Sequence, residues 1–370
     1  MTTMTRAAVL ESTGAEAVVR ELELIAPRDG EVRVRMLASG VCHSDLHVRD
    51  GEWERPTPVV LGHEGAGIID AVGPGVPRER VGELVALSWL IPCGTCRSCR
   101  RGHPWACPDS PSYGHRLLDG TAALRTKEGE PVGSYLGIAT MAEAAVVPAA
   151  AAIALPDGTD PAAAALIGCC VTTGVGAVLK TAEVPAGASV AVIGLGGVGL
   201  SCVMGALVAG ASRVVAIDRM PAKLDAARAM GATDVVLAGD DPAATIAALH
   251  DLTDGGPDFI FEAIGRVATV ELAITALPVG GTAVLVGMTP VGDRAAFDVY
   301  GFVDGSRRIL GSNYGFAVPA VDFPRYAAWS IEGRLPVDRL IDRRIGLDDL
   351  EDAFAAMRRG EYTRQVITFD

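Results

Sequence analysis

The stretch from Ser189 to Ala211, SVAVIGLGGVGLSCVMGALVAGA, limits the fold of this chain more than any other. It is uncharged and long enough to cross a bilayer. Its glycines crowd between 194 and 199, however, and divide it into two unlike halves. Ser189–Ile193 is a short β-branched run of the kind a buried parallel strand needs. From Gly199 onward, small residues recur as in a helix lying close against a sheet. The reading is strand, turn, helix, with no membrane span. Gly194, Gly196 and Gly199 form G-x-G-x-x-G at the turn. The first glycine permits the tight turn, the second lets backbone approach a pyrophosphate, and the third lets helix and strand pack closely. The helix N-terminus offers unpaired N–H groups and a positive dipole end to phosphates. The next strand, Arg213–Ile217, ends in Asp218, nineteen residues past Gly199, where a ribose hydroxyl acceptor belongs. A carboxylate there favours NAD and repels the extra phosphate of NADP, although the adjacent Arg219 softens that preference.

Alternation continues on either side. Strand-like runs Asp234–Leu237, Phe259–Glu262 and Thr282–Val286 are separated by helical stretches such as Pro221–Met230 and Val267–Ala276. The pattern predicts an α/β, doubly wound parallel sheet over residues 173–313. The N-terminal part reads differently, as short β-rich runs (Glu31–Ala38, Gly67–Val72, Leu84–Ser88) between Gly/Pro turns. After about Tyr314 the chain is helical (Phe323–Ile331, Leu347–Arg358) and closes with a strand, Gln365–Phe369. At 370 residues, two domains are expected. Thirty-two Lys+Arg against 45 Asp+Glu give a net charge of −13, which argues against nucleic acid or an anionic membrane as partner.

A second motif packs Cys93, Cys96, Cys99 and Cys107 into fifteen residues, CGTCRSCRRGHPWAC. Four soft ligands converging on one ion describe a structural zinc. A [4Fe–4S] site is the rival, because C-x2-C-x2-C also occurs in ferredoxin runs. Disulfides are disfavoured: no secretory signal is found, and cytoplasmic thiols stay reduced. A third constellation is Cys42-His43-Ser44-Asp45 with Gly62-His63-Glu64, and Cys169-Cys170 further on. Two cysteines, a histidine and one open position make a catalytic zinc. Taken singly, a buried free cysteine or a lone histidine is ordinary; the convergence with a zinc lobe and a dinucleotide turn argues for function.

At these residues the chain resembles the zinc-dependent medium-chain alcohol dehydrogenases over essentially its whole length. The matching elements are GVCHSDLH at 40–47, GHEGAG at 62–67 followed by Gly73, the four-cysteine lobe, IGC at 167–169 and GLGGVG at 194–199. LGIATMAEAAVV at 136–147 and the ending TRQVITF are similar to the liver-type and class III branch. The resemblance implies a mainly β, GroES-like catalytic domain formed by 1–172 and 314–370, wrapped on a Rossmann NAD-binding domain of 173–313, with the active site in the cleft. It also implies two zinc ions per chain, NAD, a small alcohol or aldehyde as substrate, a homodimer or tetramer, and a cytoplasmic location.

Residue by residue, the resemblance assigns the catalytic zinc to Cys42, His63 and Cys169, with Glu64 as a nearby carboxylate. Asp45 would hold the far ring nitrogen of His63. Ser44 would take the alcohol's proton and pass it towards His47. Around NAD it assigns His43, Thr173, Gly197, Val198, Asp218, Lys223, Ile264, Arg266 and Arg364 together with the three motif glycines. His43 replaces the arginine of liver enzymes, which implies faster cofactor release. Trp89 and Tyr135 would wall an apolar site for a primary aliphatic or aromatic alcohol. Glutathione adducts are disfavoured by His47, Trp53 and Arg55 and by the absence of arginine from Pro108–Gly114. A mycothiol-type formaldehyde dehydrogenase stays open. A zinc- and nucleotide-binding redox sensor and a metal-free quinone reductase are readings from other classes, separable by metal analysis.

Overall fold

A computed structural model describes residues 2–117 and 119–369 of the chain. They divide into two compact units, Met1–Cys169 with Val318–Gly333 and Ile341–Asp370, and Cys170–Ala317 with Arg334–Leu340.

The first unit is mainly β. Strands Thr3–Leu10, Val18–Leu24, Leu124–Arg125, Pro131–Ser134 and Val59–Val60 close a barrel. Its interior is filled by Ala7, Val9, Leu22, Leu24, Val60, Leu124 and Val132. A larger sheet runs in the order Ala152–Ala154, Leu84–Leu87, Gly65–Val72, Glu31–Val41, Arg364–Thr368, Ile341–Ile345, with Ala144–Pro148 also paired to Glu31–Val41. Glu31–Val41 buries most of both faces, as a central strand must. It leads straight into helix His43–Asp50, which ends at Gly51 in the left-handed region, φ 83°. The last strand, Arg364–Thr368, lies antiparallel beside it, pairing Gln365 with Val41.

The second unit is a six-stranded, wholly parallel sheet in the order Asp234–Leu237, Arg213–Asp218, Ser189–Ile193, Phe259–Glu262, Thr282–Leu285, Arg308–Gly311. The strand order reverses between Ser189–Ile193 and Phe259–Glu262, and in open parallel sheets the carboxyl ends of the strands at such a reversal flank the ligand crevice. Helix Gly197–Ala209 is buried along most of its length, which explains why it has no polar face.

One helical run was not anticipated in the sequence. Pro161–Thr181 is helical for 21 residues, with a mean hydropathy of 2.0. It is the one helix among the described residues long and apolar enough to cross a membrane, yet 83% of its apolar window is buried within the protein. Its N-terminus is capped by Asp160, which accepts the Ala163 N–H at 3.0 Å. Two wide turns, Ile167–Val171 and Ala177–Thr181, interrupt its α-helical hydrogen bonding. The first carries Cys169, and such local π-turns commonly serve to present a side chain.

Candidate active site

The residues expected to bind a metal in the first unit come from three neighbouring elements. Cys42 sits at the N-cap of helix His43–Asp50, His63 and Glu64 lie immediately before strand Gly65–Val72, and Cys169 is on the wide turn. The ligand atoms of Cys42, His63 and Glu64 all lie within 4.8 Å of one another. Cys169 hydrogen-bonds the Cys42 sulfur and is the foremost cause holding that thiol well below its usual value.

His63 is almost wholly buried. Its Nδ1 lies 3.2 Å from Asp45 Oδ1, and the same oxygen accepts the Gly62 N–H at 2.9 Å. Its other nitrogen, Nε2, is buried without a hydrogen-bond partner. Burial alone would depress the imidazole, but Asp45 and the Cys42 sulfur raise it to about 10. An orphaned nitrogen facing soft and anionic donors is the environment a divalent cation relieves, so the donor set fits zinc. Glu64 Oε2 forms an ion pair with the Arg364 guanidinium, and both side chains are buried. Arg364, expected beside NAD, is thus joined to a carboxylate expected beside the metal. This pairing links positions 300 residues apart.

The four-cysteine lobe also converges: Cys93, Cys96, Cys99 and Cys107 place their sulfurs within 4.8 Å of one another. The loop is wound so that N–H groups face sulfur. The Cys96 N–H donates to Cys93 Sγ at 3.3 Å, and the Cys99 N–H to Cys96 Sγ at 3.4 Å. N–H donors from Thr95 and Cys96 lower Cys93 to about 6, whereas burial pushes Cys107 up to about 12. One thiolate is readily formed and the next is resisted, a conflict that a bound cation removes.

Ser44 and His47 follow Cys42 on helix His43–Asp50. Ser44 Oγ is 3.8 Å from Cys42 Sγ. His47, on the same helix, has its Nδ1 2.6 Å from Glu52 Oε2, and its ring is 4.7 Å from that of Trp53. Glu52 carries no motif and was missed in the sequence. Tyr135 is buried edge-on to His63, with ring centroids 5.6 Å apart. Its opposite neighbour is His115, stacked at 5.7 Å and 11°. His115 Nδ1 accepts the Leu136 N–H at 2.9 Å, and burial, reinforced by Arg55, depresses the imidazole to about 4. This uncharged histidine behind the aromatic wall was also missed. Trp89 is buried as well.

In the second unit the glycine turn has the properties that its spacing predicts. Gly194 has φ 91°, and a Cβ there would overlap Ile264. A Cβ at Gly199 would overlap the Gly194 carbonyl, whereas the space beside Gly196 is open, leaving room for a phosphate against bare backbone. Gly197 and Val198 begin helix Gly197–Ala209. Asp218, at the end of its strand, accepts the Leu195 N–H at 2.9 Å and the Met220 N–H at 3.0 Å. Arg219 forms an ion pair with Asp240. Lys223 lies on helix Pro221–Ala229, Ile264 and Arg266 are exposed, and Thr173 is in the helical segment Thr172–Gly176.

A GroES-like sheet unit with a buried Cys/His/carboxylate cluster, joined in one chain to a parallel dinucleotide-type sheet, defines a class: the zinc-binding dehydrogenases. Residues 28–157 match the alcohol dehydrogenase GroES-like domain, and residues 197–330 match the zinc-binding dehydrogenase domain. The chain is 35% identical over 368 residues to class-3 alcohol dehydrogenase of Myxine glutinosa, covering 98% of this chain and 97% of that one. A zinc-binding domain alcohol dehydrogenase of Burkholderia ambifaria superposes with a TM-score of 0.95 at 34% identity, covering 100% of both chains. Benzyl alcohol dehydrogenase of Acinetobacter calcoaceticus gives 0.92 at 31%, again covering 100% of both. The protein belongs to the zinc-dependent alcohol dehydrogenase family and is an oxidoreductase.

Proposed function

We propose that the protein oxidises primary alcohols, aliphatic or aromatic, to aldehydes with NAD, reversibly and with two zinc ions per chain. The observation that carries this reading is the orphaned Nε2 of His63, oriented by Asp45 and set beside Cys42. Cys42, His63 and Cys169 would hold the catalytic zinc, and the four-cysteine lobe the structural one. When bound, zinc supplies Lewis acidity that makes an alcohol easier to deprotonate, and NAD supplies a hydride acceptor.

The chain's own residues do the rest. Asp45 fixes the ring orientation and tautomer of His63. Ser44 takes the substrate's hydroxyl proton at Oγ, and His47 carries it outward towards Glu52. Tyr135 and Trp89 keep the reacting carbon's surroundings apolar and exclude water. Gly194, Gly196 and Gly199 seat the pyrophosphate against backbone and a helix N-terminus. Asp218 accepts the ribose hydroxyls, with Lys223, Ile264, Arg266, Thr173 and His43 also assigned to NAD. The ion pair of Arg219 with Asp240 supports NAD over NADP, because it occupies the cation nearest to Asp218 in sequence.

The similarity to a class-3 enzyme favours one second reading, a thiol-adduct formaldehyde dehydrogenase. One experiment separates them: NAD-coupled turnover of aliphatic and benzylic alcohols against formaldehyde with and without small thiols, alongside zinc quantitation. Turnover of free alcohols with no thiol supports our reading, and a strict thiol requirement overturns the substrate assignment.

We also infer a homodimer in a reducing cytoplasm. Arg308–Gly311 is an edge strand, and the helix just before it exposes Val299, Tyr300 and Val303, at 65%, 80% and 70%. An open edge flanked by apolar side chains invites a second copy of the same edge. Light scattering at micromolar concentration tests this; a monomer would refute it.

A further inference from the structure

Glu262 belongs to no motif, yet it is wholly buried at the carboxyl end of strand Phe259–Glu262, in the crevice where strand order reverses. One oxygen, Oε1, accepts three hydrogen bonds: the Ile264 N–H at 2.9 Å, the Gly265 N–H at 2.9 Å and the Thr269 hydroxyl at 2.8 Å. The other, Oε2, is buried without a partner. It lies 2.8 Å from where a Cβ on Gly287 would stand. The main-chain carbonyl of Glu262 accepts the Val286 and Gly287 N–H groups, both at 2.9 Å. A single residue therefore ties together the loops leaving two adjacent strands. Burial pushes its carboxyl up from the ordinary value, and the three donors to Oε1 oppose that push.

A buried carboxylate is expensive, and a strand end does not need one to hold a turn. What this one holds is informative. Gly265 is in the left-handed region, φ 81°, and its neighbour Ile264 packs where a side chain on Gly194 would otherwise stand. Gly194 opens the glycine turn. Fixing the backbone N–H groups of 264 and 265 therefore fixes the wall against which that turn is set.

We infer that Glu262 is a positioning residue of the dinucleotide site, acting through Ile264 and Gly265 to hold the glycine turn in the geometry that receives the cofactor's pyrophosphate and ribose. This rests on the NAD reading above. Glu262 is wholly buried and its side chain bonds only Ile264, Gly265 and Thr269, so its loss acts on cofactor affinity and leaves the chemical step alone.

The test uses the full-length zinc enzyme and NADH titration by fluorescence, with steady-state kinetics at varied NAD. Glu262→Leu, which removes all three acceptor contacts, is expected to raise the NADH Kd and the KM for NAD about tenfold, with kcat at saturating NAD within about twofold. Glu262→Gln keeps an acceptor at Oε1 and is expected to restore most of the affinity. Thr269→Val removes one contact and should raise the Kd about two- to threefold, so it decides the matter should the leucine variant fail to fold. A Thr269→Val or Glu262→Leu protein with unchanged NADH affinity, or a loss confined to kcat, overturns the inference while NAD binding by the unaltered enzyme stands. Failure of the unaltered enzyme to bind NADH overturns both.

Discussion

Asp45 Oδ1 holds His63 Nδ1 at 3.2 Å and the Gly62 N–H at 2.9 Å, so one buried oxygen orients the imidazole and the peptide that precedes it. The second oxygen, Oδ2, is buried without a partner. Asp45→Asn keeps the shape and an acceptor but removes the charge. Catalytic zinc affinity or kcat should fall by about 10–100-fold, with NADH binding unchanged. Zinc quantitation after dialysis and steady-state kinetics measure both; unaltered retention and turnover would refute the role.

Cys96→Ser should act on folding. Removing one of four thiolates leaves a set that no longer closes around the ion, and structural zinc contributes its binding energy to the folded state. One zinc per chain should be lost and the thermal midpoint should drop by several degrees, at about 1–2 °C for each kcal/mol in a chain of 370 residues. Calorimetry with metal analysis decides; a fully stable protein with one zinc would show the lobe to be dispensable.

Asp218→Gly should weaken NAD and improve NADP use. Because Arg219 is engaged by Asp240, the single variant leaves the best-placed cation occupied. Asp218→Gly combined with Asp240→Ala should therefore favour NADP more than Asp218→Gly alone, by about tenfold in relative kcat/KM. Equal ratios in the two variants would mean that Arg219 takes no part.

His47→Gln should slow turnover severalfold without changing the KM for NAD, and added imidazole buffer should restore part of the rate. Glu52→Gln should have a smaller effect in the same direction, since Glu52 Oε2 lies 2.6 Å from His47 Nδ1. A His47→Gln enzyme at full rate would place the proton exit elsewhere.

His115 gives a pH signature of stability. Its folded pKa, about 4, lies below the ordinary 6.5. Between those values the unfolded chain binds the proton and the folded one does not. Stability is thus complete above about pH 6.5 and falls as pH drops towards 4. His115→Phe should flatten this limb of a denaturation-against-pH series, at the expense of about 1–2 kcal/mol for the orphaned Leu136 N–H. An unchanged limb would assign the acid loss to other groups.

The strands of the parallel sheet were legible because buried parallel strands are short β-branched runs bounded by glycine. Ser189–Ile193, Asp234–Leu237 and Phe259–Glu262 have the limits expected of them. Helix Pro161–Thr181 was not, because a helix buried all round has no polar face and hence no period. The barrel was hidden for a different reason. Val59–Val60 and Pro131–Ser134 are too short to alternate visibly, and their pairing is set by distant partners. In the site, cysteine spacing and the glycine motif are local and readable. The partners that tune them are not: Glu52, His115 and Glu262 are ordinary residues until the fold surrounds them.

The pairing of Arg364 with Glu64 has a consequence for the order of events at the ribosome. Strand Arg364–Thr368 fills the place between Glu31–Val41 and Ile341–Ile345, and its arginine follows Glu64 by 300 residues. At ordinary elongation rates that interval is roughly 15–60 s. Throughout it, the larger sheet of the nascent first unit ends at Glu31–Val41, without its last two strands, and Glu64 lacks its guanidinium partner. Translation thus builds in a delay: Glu64 acquires its buried ion-pair partner only after the dinucleotide unit has emerged.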